Sequence, residues 1–146
     1  MNLPFLPHGK PSSERANLIL NDLLTNVYRA FDRRNEEDVY DRLALSVSDD
    51  QLTEIYMENR QSMALENRGG ARANVDEVNI QELYTISHDK NGGYIAETKW
   101  TVRGSVNHFG HTHYRQNQYR ALVSFHIDDE SWKINHIEIL DTRRLY

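Results

Sequence analysis

Three histidines lie close together in one short stretch of the sequence. The segment VNHFGHTHYRQ places His108, His111 and His113 within six residues, at the end of a predicted hairpin. Neutral imidazole suits zinc, copper or nickel, and three protein ligands with an open position are typical of a catalytic metal site. A turn would have to bring His108 to the other two rings, because His111 and His113 share one strand face. A transition-metal ion is therefore the one cofactor that the sequence suggests.

A simpler interpretation of this segment is a polar hairpin tip. Gly110 would provide the turn, and each imidazole would be solvated or hydrogen-bonded to nearby backbone. We favour this interpretation, because the sequence shows no fourth protein ligand and no matching carboxylate beside the histidines. Clustered histidines could also act as a pH sensor, but the partner that such a switch needs is not visible either.

A second group of residues could line a pocket between a sheet and the helices that cover it. Pairing two strands around the histidine turn would put four cross-strand pairs on the core side, namely Trp100–Tyr119, Val102–Asn117, Gly104–Arg115 and Val106–His113. This face becomes polar towards the turn, and Gly104 would leave space there. The predicted pocket-lining residues are Tyr84, Trp100, Arg115, Asn117 and Tyr119.

Acid–base chemistry in such a pocket would need a carboxylate or histidine whose pKa is shifted by an apolar environment. Glu82 and His113 are the candidates that this strand register supplies. For Glu82, an ion pair with Arg115 or another base across the sheet is the commoner role. The sequence contains no phosphate-binding loop, nucleophile elbow, HExxH or EF-hand motif, so we assign no catalytic residue and expect no nucleotide chemistry.

Composition narrows the function classes further. A length of 146 residues suits one domain with one core. The formal charge of −5 supplies no excess of Lys and Arg for counterion release, so we expect no nucleic-acid partner. Because the chain has no cysteine, disulfides, thiolate metal sites and thiol nucleophiles are excluded.

Three helices are predicted in the first half of the chain, where apolar residues recur at three- and four-residue spacing. The first begins at residues 12–13, where serine can cap it, and the second begins after Asn35. In the third, Ser48 and Gln51 have the spacing of a capping box. Gly69–Gly70 should end this third helix, because glycine accepts the left-handed conformation.

Four strands are predicted in the second half. In the first strand Val78, Ile80, Tyr84 and Ile86 alternate with polar residues, with Glu82 on the same face. The turn at Asn91–Gly93 leads into the second strand. In the fourth strand Trp132 and Ile134 have the opposite parity to Ile137 and Ile139, which predicts a bulge near Asn135–His136.

This element order, the YRAF sequence at the end of a long first helix and a long bent hairpin resemble the nuclear-transport-factor-2-like superfamily of cystatin-like, cone-shaped α+β domains. The resemblance covers roughly residues 14–142 and implies three N-terminal helices packed on a curved four-stranded antiparallel sheet. We expect a linker-like segment over residues 1–12 and a single domain over residues 13–146. Relatives such as ketosteroid isomerase use the cone for acid–base chemistry, and many members pair two subunits through the outer face of the sheet.

The segments VYRAFDRRNEEDVYDRLALSV and WTVRGSVNHFGHTHYRQNQYRA are also similar to bacterial proteins in which such a unit follows membrane-spanning segments. The sequence itself has no apolar run of the length that a membrane span needs, so we expect it to be soluble. Our interpretation is a non-enzymatic interaction or sensing domain, the extracytoplasmic or periplasmic part of a membrane-attached protein. We expect a homodimer through the sheet, where Tyr114 and Leu122 lie on the second face, and a protein partner in the membrane assembly. The alternative is an enzyme or small-molecule-binding protein that uses the cone.

Overall fold

The computed structural model describes residues 10–30, 36–48, 51–57, 72–90, 92–108 and 110–146. The helices are α1 (Ser13–Ala30), α2 (Glu36–Ala44) and a third helical segment, α3, over residues 51–57; the strands are β1 (Arg72–His88), β2 (Tyr94–His108), β3 (His111–Asp128) and β4 (Ser131–Arg144). The predicted α+β class, with three helices and a four-stranded antiparallel sheet in the order β1-β2-β3-β4, is confirmed. The division into a linker and one domain stays a prediction, and the expected end of the third helix at Gly69–Gly70 lies outside the described residues.

Helix α1 is amphipathic and covers one face of the sheet. The backbone N–H of Arg15 donates to the Ser12 hydroxyl at 3.1 Å, which confirms the predicted serine cap. Its buried side chains form one stripe of Ala16, Leu20, Leu23, Leu24, Val27 and Ala30. They join the core with sheet residues such as Trp100 and Phe125. We call this side of the sheet the helix-covered face, and the opposite side, which carries Glu97, Lys99, Arg120 and Leu122, the outer face.

The two central strands pair as predicted. Trp100 faces Tyr119, and the register continues without a shift to His108 opposite His111 at the end of the hairpin. In β4 the pairing shifts between Ile134 and His136, so Asn135 is the extra residue of the predicted bulge. This bulge allows Trp132, Ile134 and Ile137 to pack against the same core despite their mixed parity.

Strand β1 departs from the predicted alternation. Its pairing with β2 shifts three times, so the extra residues are Asp76, Gln81 and Tyr84. Each bulge changes which side chains face the core. The core-facing set is therefore Val75, Val78, Ile80, Leu83 and Ile86, and the expected placement of Tyr84 and Glu82 on that face is wrong. The buried hydroxyl of Thr98 donates to the Glu82 carbonyl at 2.8 Å, which satisfies one backbone group freed by a bulge.

The predicted capping box is also wrong, because the Ser48 hydroxyl makes no hydrogen bond within the described residues, and the Ser48 N–H and the Gln51 side chain bond to the sheet. The Ser48 N–H donates to the Ile134 carbonyl at 2.9 Å, and the Ile134 N–H donates to the Ser46 carbonyl at 2.7 Å. The Gln51 side-chain oxygen accepts from the Ile137 N–H at 3.1 Å. These bonds cover the exposed edge of β4 on both sides of the Asn135 bulge, and they fix the start of α3 there.

No helix in the described part of the chain is long and apolar enough to cross a membrane.

The bond from Ile137 to Gln51 predicts that Gln51→Ala destabilises the protein by about 1–3 kcal/mol, since a half-buried N–H at an irregular strand would lose its partner. Thr53→Ala is the matched control, because Thr53 lies in the same helical segment and is exposed. Urea unfolding of both variants measures the difference. If Gln51→Ala costs no more than Thr53→Ala, the side-chain bond does not hold the bulge.

Candidate functional site

The predicted pocket region is built around Trp100 on the helix-covered face. Its indole N–H donates to the Tyr28 hydroxyl at 3.3 Å. The ring of Tyr119 lies 5.7 Å from that of Trp100 between centroids, and the side-chain amide of Asn117 donates to the Tyr119 hydroxyl at 3.5 Å. Trp100, Tyr119 and Asn117, three of the five predicted pocket residues, are thus brought together, and the polar groups lead from the buried indole towards the hairpin.

Tyr28 also belongs to this region, although it is not among the pocket residues predicted from the sequence. It lies one helical turn after Leu24 in α1. Burial raises the pKa of Tyr28 to about 12, with a smaller opposite effect from its hydrogen bond to Trp100. The hydroxyl therefore stays protonated and neutral at physiological pH. The signal available in the sequence was its place beside the stripe of Leu24 and Val27.

Aromatic rings also fill the interior further from the β2–β3 turn, where Phe125 pairs with Tyr94. Phe125 is fully buried, and Trp100 is 2% exposed. The centroid of Phe125 lies 5.9 Å from that of Tyr94 and 5.4 Å from that of Trp132. Tilted rings at these separations are favourable aromatic contacts. Around these residues the space between sheet and helices is a packed core.

The space expected beside Gly104 is occupied by backbone. A Cβ atom on Gly104 would lie 2.5 Å from the carbonyl oxygen of Asn74 in β1. Glycine at this position thus allows β1 to approach β2 closely, next to the bulge at Asp76, and does not open a pocket. Arg115, the cross-strand partner of Gly104, is exposed.

Tyr84 and Glu82 lie on the outer face. The guanidinium carbon of Arg120 is 4.8 Å from the centroid of the Tyr84 ring, a cation–π contact. Glu82 forms an ion pair with Lys99, with 3.2 Å between the carboxylate and ammonium atoms, and the hydrogen bond to Glu82 raises the pKa of Lys99. The bulges at Gln81 and Tyr84 produce this change of face. Glu82 therefore forms the ion pair across the sheet that the sequence favours over catalysis, and its partner is Lys99.

The histidine hairpin has the predicted backbone. His108 and His111 are directly paired, and Gly110 has a φ of 79°, which glycine adopts readily in a turn. His111 and His113 are exposed, and the side chain of His108 lies outside the described residues. Within the part of the chain that is described, no three His, Cys, Asp or Glu residues form a group that could hold a metal ion. The three-histidine metal site stays a prediction.

On the helical side, two depressions are lined by residues that the structure describes. One, of about 400 Å³, is open and is lined by Ser13, Glu14, Asn17, Leu18 and Leu83. The other, of about 270 Å³, lies between α1 and α2. Neither is lined by the residues predicted for the pocket.

No protein-family profile matches the chain, and no curated protein sequence is similar to it. Among solved structures, the intermembrane space region of the chloroplast protein ARC6 is similar over 90% of this chain and 98% of its own, with a TM-score of 0.54 and 14% identity. The chain is similar to that region in fold. A de novo designed β-sheet protein matches 87% of the chain and 88% of its own at 14% identity, but its TM-score of 0.45 supports no argument. The ARC6 similarity shows a shared α+β fold and does not extend to function.

The raised pKa of Tyr28 predicts a loss of stability at alkaline pH. A tyrosine with a higher pKa in the folded state stabilises the protein fully below the unfolded value of 10, and this contribution is lost as the pH rises to about 12. The slope from this one group is about 1.4 kcal/mol per pH unit. We expect the stability of the wild type to fall relative to Tyr28→Phe across this window, measured by urea unfolding at each pH. Tyr40→Phe, at an exposed helical tyrosine, should leave the wild-type slope unchanged; a parallel pH dependence in Tyr28→Phe would contradict the prediction.

Proposed function

We propose that this domain is a non-enzymatic interaction or sensing module, the extracytoplasmic soluble part of a membrane-attached bacterial protein, with the nuclear-transport-factor-2-like cone as its fold. The observation that carries the proposal is the filled helix-covered face. Trp100 and Phe125 are buried on this face, at 2% and 0% exposure, so side chains fill the sheet–helix interior around them. The ionisable group that is hydrogen-bonded to the Trp100 indole is the Tyr28 hydroxyl, which stays neutral.

The placement of the two acid–base candidates supports the same proposal. A general base works best when its pKa is tuned by burial or by a neighbouring charge. Glu82 lies on the outer face in an ion pair with Lys99, and His113 is exposed near the hairpin tip. Solvent and a paired base surround these groups, so neither has the apolar environment that the chemistry would require.

An extracytoplasmic location is supported by the fold comparison and by the sequence. The ARC6 structure that shares the fold is an intermembrane space region of a chloroplast protein. The residues of the α1–α2 region and of the central hairpin are similar to bacterial proteins with preceding membrane spans. A protein partner in that membrane assembly is part of the proposal.

The outer face provides a surface for a homodimer. It presents the half-buried Leu122 and Tyr114, which is 65% exposed. Charges on this face are paired within the sheet: Glu82 with Lys99, Glu97 with Arg120, and Glu77 with Arg103. Two copies of such a face could approach without strong like-charge repulsion at these positions, because each of the three carboxylates named has a base beside it.

If two chains pair through this face, Leu122→Arg will weaken the dimer at least about tenfold, which corresponds to about 1.4 kcal/mol, by placing an unpaired charge in the contact. Leu18→Arg is the matched control, since Leu18 is an exposed leucine on α1. Sedimentation equilibrium of the wild type and both variants measures the dissociation constants. A wild-type monomer at high concentration, or equal weakening by the two changes, would refute pairing through the sheet.

A further inference from the structure

The cleft between α1 and α2 brings two arginines together with apolar side chains. It has a volume of about 270 Å³ and is lined by Asn26, Arg29, Ala30, Arg42 and Leu45. Ala30 is buried at its base, and Leu45 is 63% exposed at its rim. Two guanidinium groups, one amide and two apolar side chains therefore share one concave surface.

The two guanidinium groups of the cleft are free within the described structure. Neither Arg29 nor Arg42 makes a side-chain hydrogen bond or ion pair with any residue in the part of the chain that is described. By contrast, Arg103, Arg120 and Arg143 on the sheet each pair with a carboxylate. A protein with a net charge of −5 thus leaves these two bases unneutralised in the same cleft.

A simpler role for both arginines would be to stabilise helix ends, since each lies in the last turn of its helix. For Arg42, that role does not require a hydrogen bond from the guanidinium to the last carbonyls of α2. The carbonyl of Arg42 already accepts from the Leu45 N–H at 3.2 Å, and the Leu43 carbonyl accepts from Ser46 and Val47 at 3.0 and 2.8 Å. Backbone donors thus occupy these last-turn carbonyls, and the guanidinium remains available for a ligand.

We propose that this cleft binds the phosphoryl group of a phosphate ester. Two guanidinium groups and an amide offer more N–H donors than the two oxygens of a carboxylate can accept, whereas a phosphoryl group presents three or four oxygens. Arginine binds such groups in a bidentate geometry. Leu45 and Ala30 would contact the organic part of the ester. The proposal is independent of the proposed interaction function, since it concerns a different surface.

The ester could be a small soluble molecule or a lipid headgroup, and two binding experiments on the full chain distinguish these sources. Glycerol 3-phosphate is titrated against the protein by NMR, following the backbone amides of α1 and α2. Co-sedimentation with phosphatidylcholine vesicles, with and without phosphatidic acid, presents the same phosphomonoester on a membrane. Binding to the soluble ester alone assigns a small molecule, and binding only to vesicles that contain phosphatidic acid assigns a lipid.

In either experiment, the double variant Arg29→Gln, Arg42→Gln should bind at least about tenfold more weakly than the wild type. Arg15→Gln is the control for charge on the same helix, because Arg15 is exposed and does not line the cleft; it should change binding less than about twofold. The double variant Arg29→Lys, Arg42→Lys should be intermediate, since it keeps the charge and loses the bidentate fork.

Two results would overturn the proposal. The first is that the wild type binds neither glycerol 3-phosphate nor phosphatidic acid vesicles. The second is binding that the Arg15→Gln control weakens as much as the cleft variant, which would indicate general charge attraction. Because Arg29 and Arg42 are exposed, both double variants should keep the fold, and circular dichroism checks this.

Discussion

The structure depends on burying Trp100 without leaving its indole N–H unpaired. An unpaired buried donor costs about 1–3 kcal/mol, and the Tyr28 hydroxyl from α1 satisfies it at 3.3 Å. This bond joins the covering helix to the centre of the sheet. Within the described residues, the surroundings of the indole are uncharged, because Tyr28 stays neutral and the ring of Tyr119 packs against Trp100.

Regular strands could be predicted from the sequence, and irregular ones only in part. The register of β2 with β3 followed from alternation around a glycine turn, and the Asn135 bulge followed from the changed parity of Ile137. The three bulges of β1 could not be predicted from the alternation of apolar and polar residues. Tyr84 is apolar enough to fit the pattern of a core residue, but its ring lies on the outer face and contacts Arg120. The role of Gln51 could not be predicted either. Its spacing from Ser48 suggests a local capping box, whereas its hydrogen-bond partner, the N–H of Ile137, is distant in sequence.

Two surfaces differ in how their charges are satisfied. On the outer face, cross-strand pairs such as Glu97 with Arg120 neutralise one another, which suits contact with a second protein surface. In the α1–α2 cleft, Arg29 and Arg42 have no such partners within the described residues, which suits an anionic ligand. Both proposed functions therefore use the exterior of the domain.

Acrylamide quenching of Trp100 fluorescence tests most directly whether the interior around Trp100 is closed to solvent. Trp132→Phe leaves Trp100 as the single tryptophan of the chain. With the indole 2% exposed, we expect a blue-shifted emission and a quenching constant several-fold below that of N-acetyltryptophanamide. Quenching as efficient as for that free indole would show an open cavity beside Trp100. It would then favour a ligand-binding or catalytic site between the sheet and the helices.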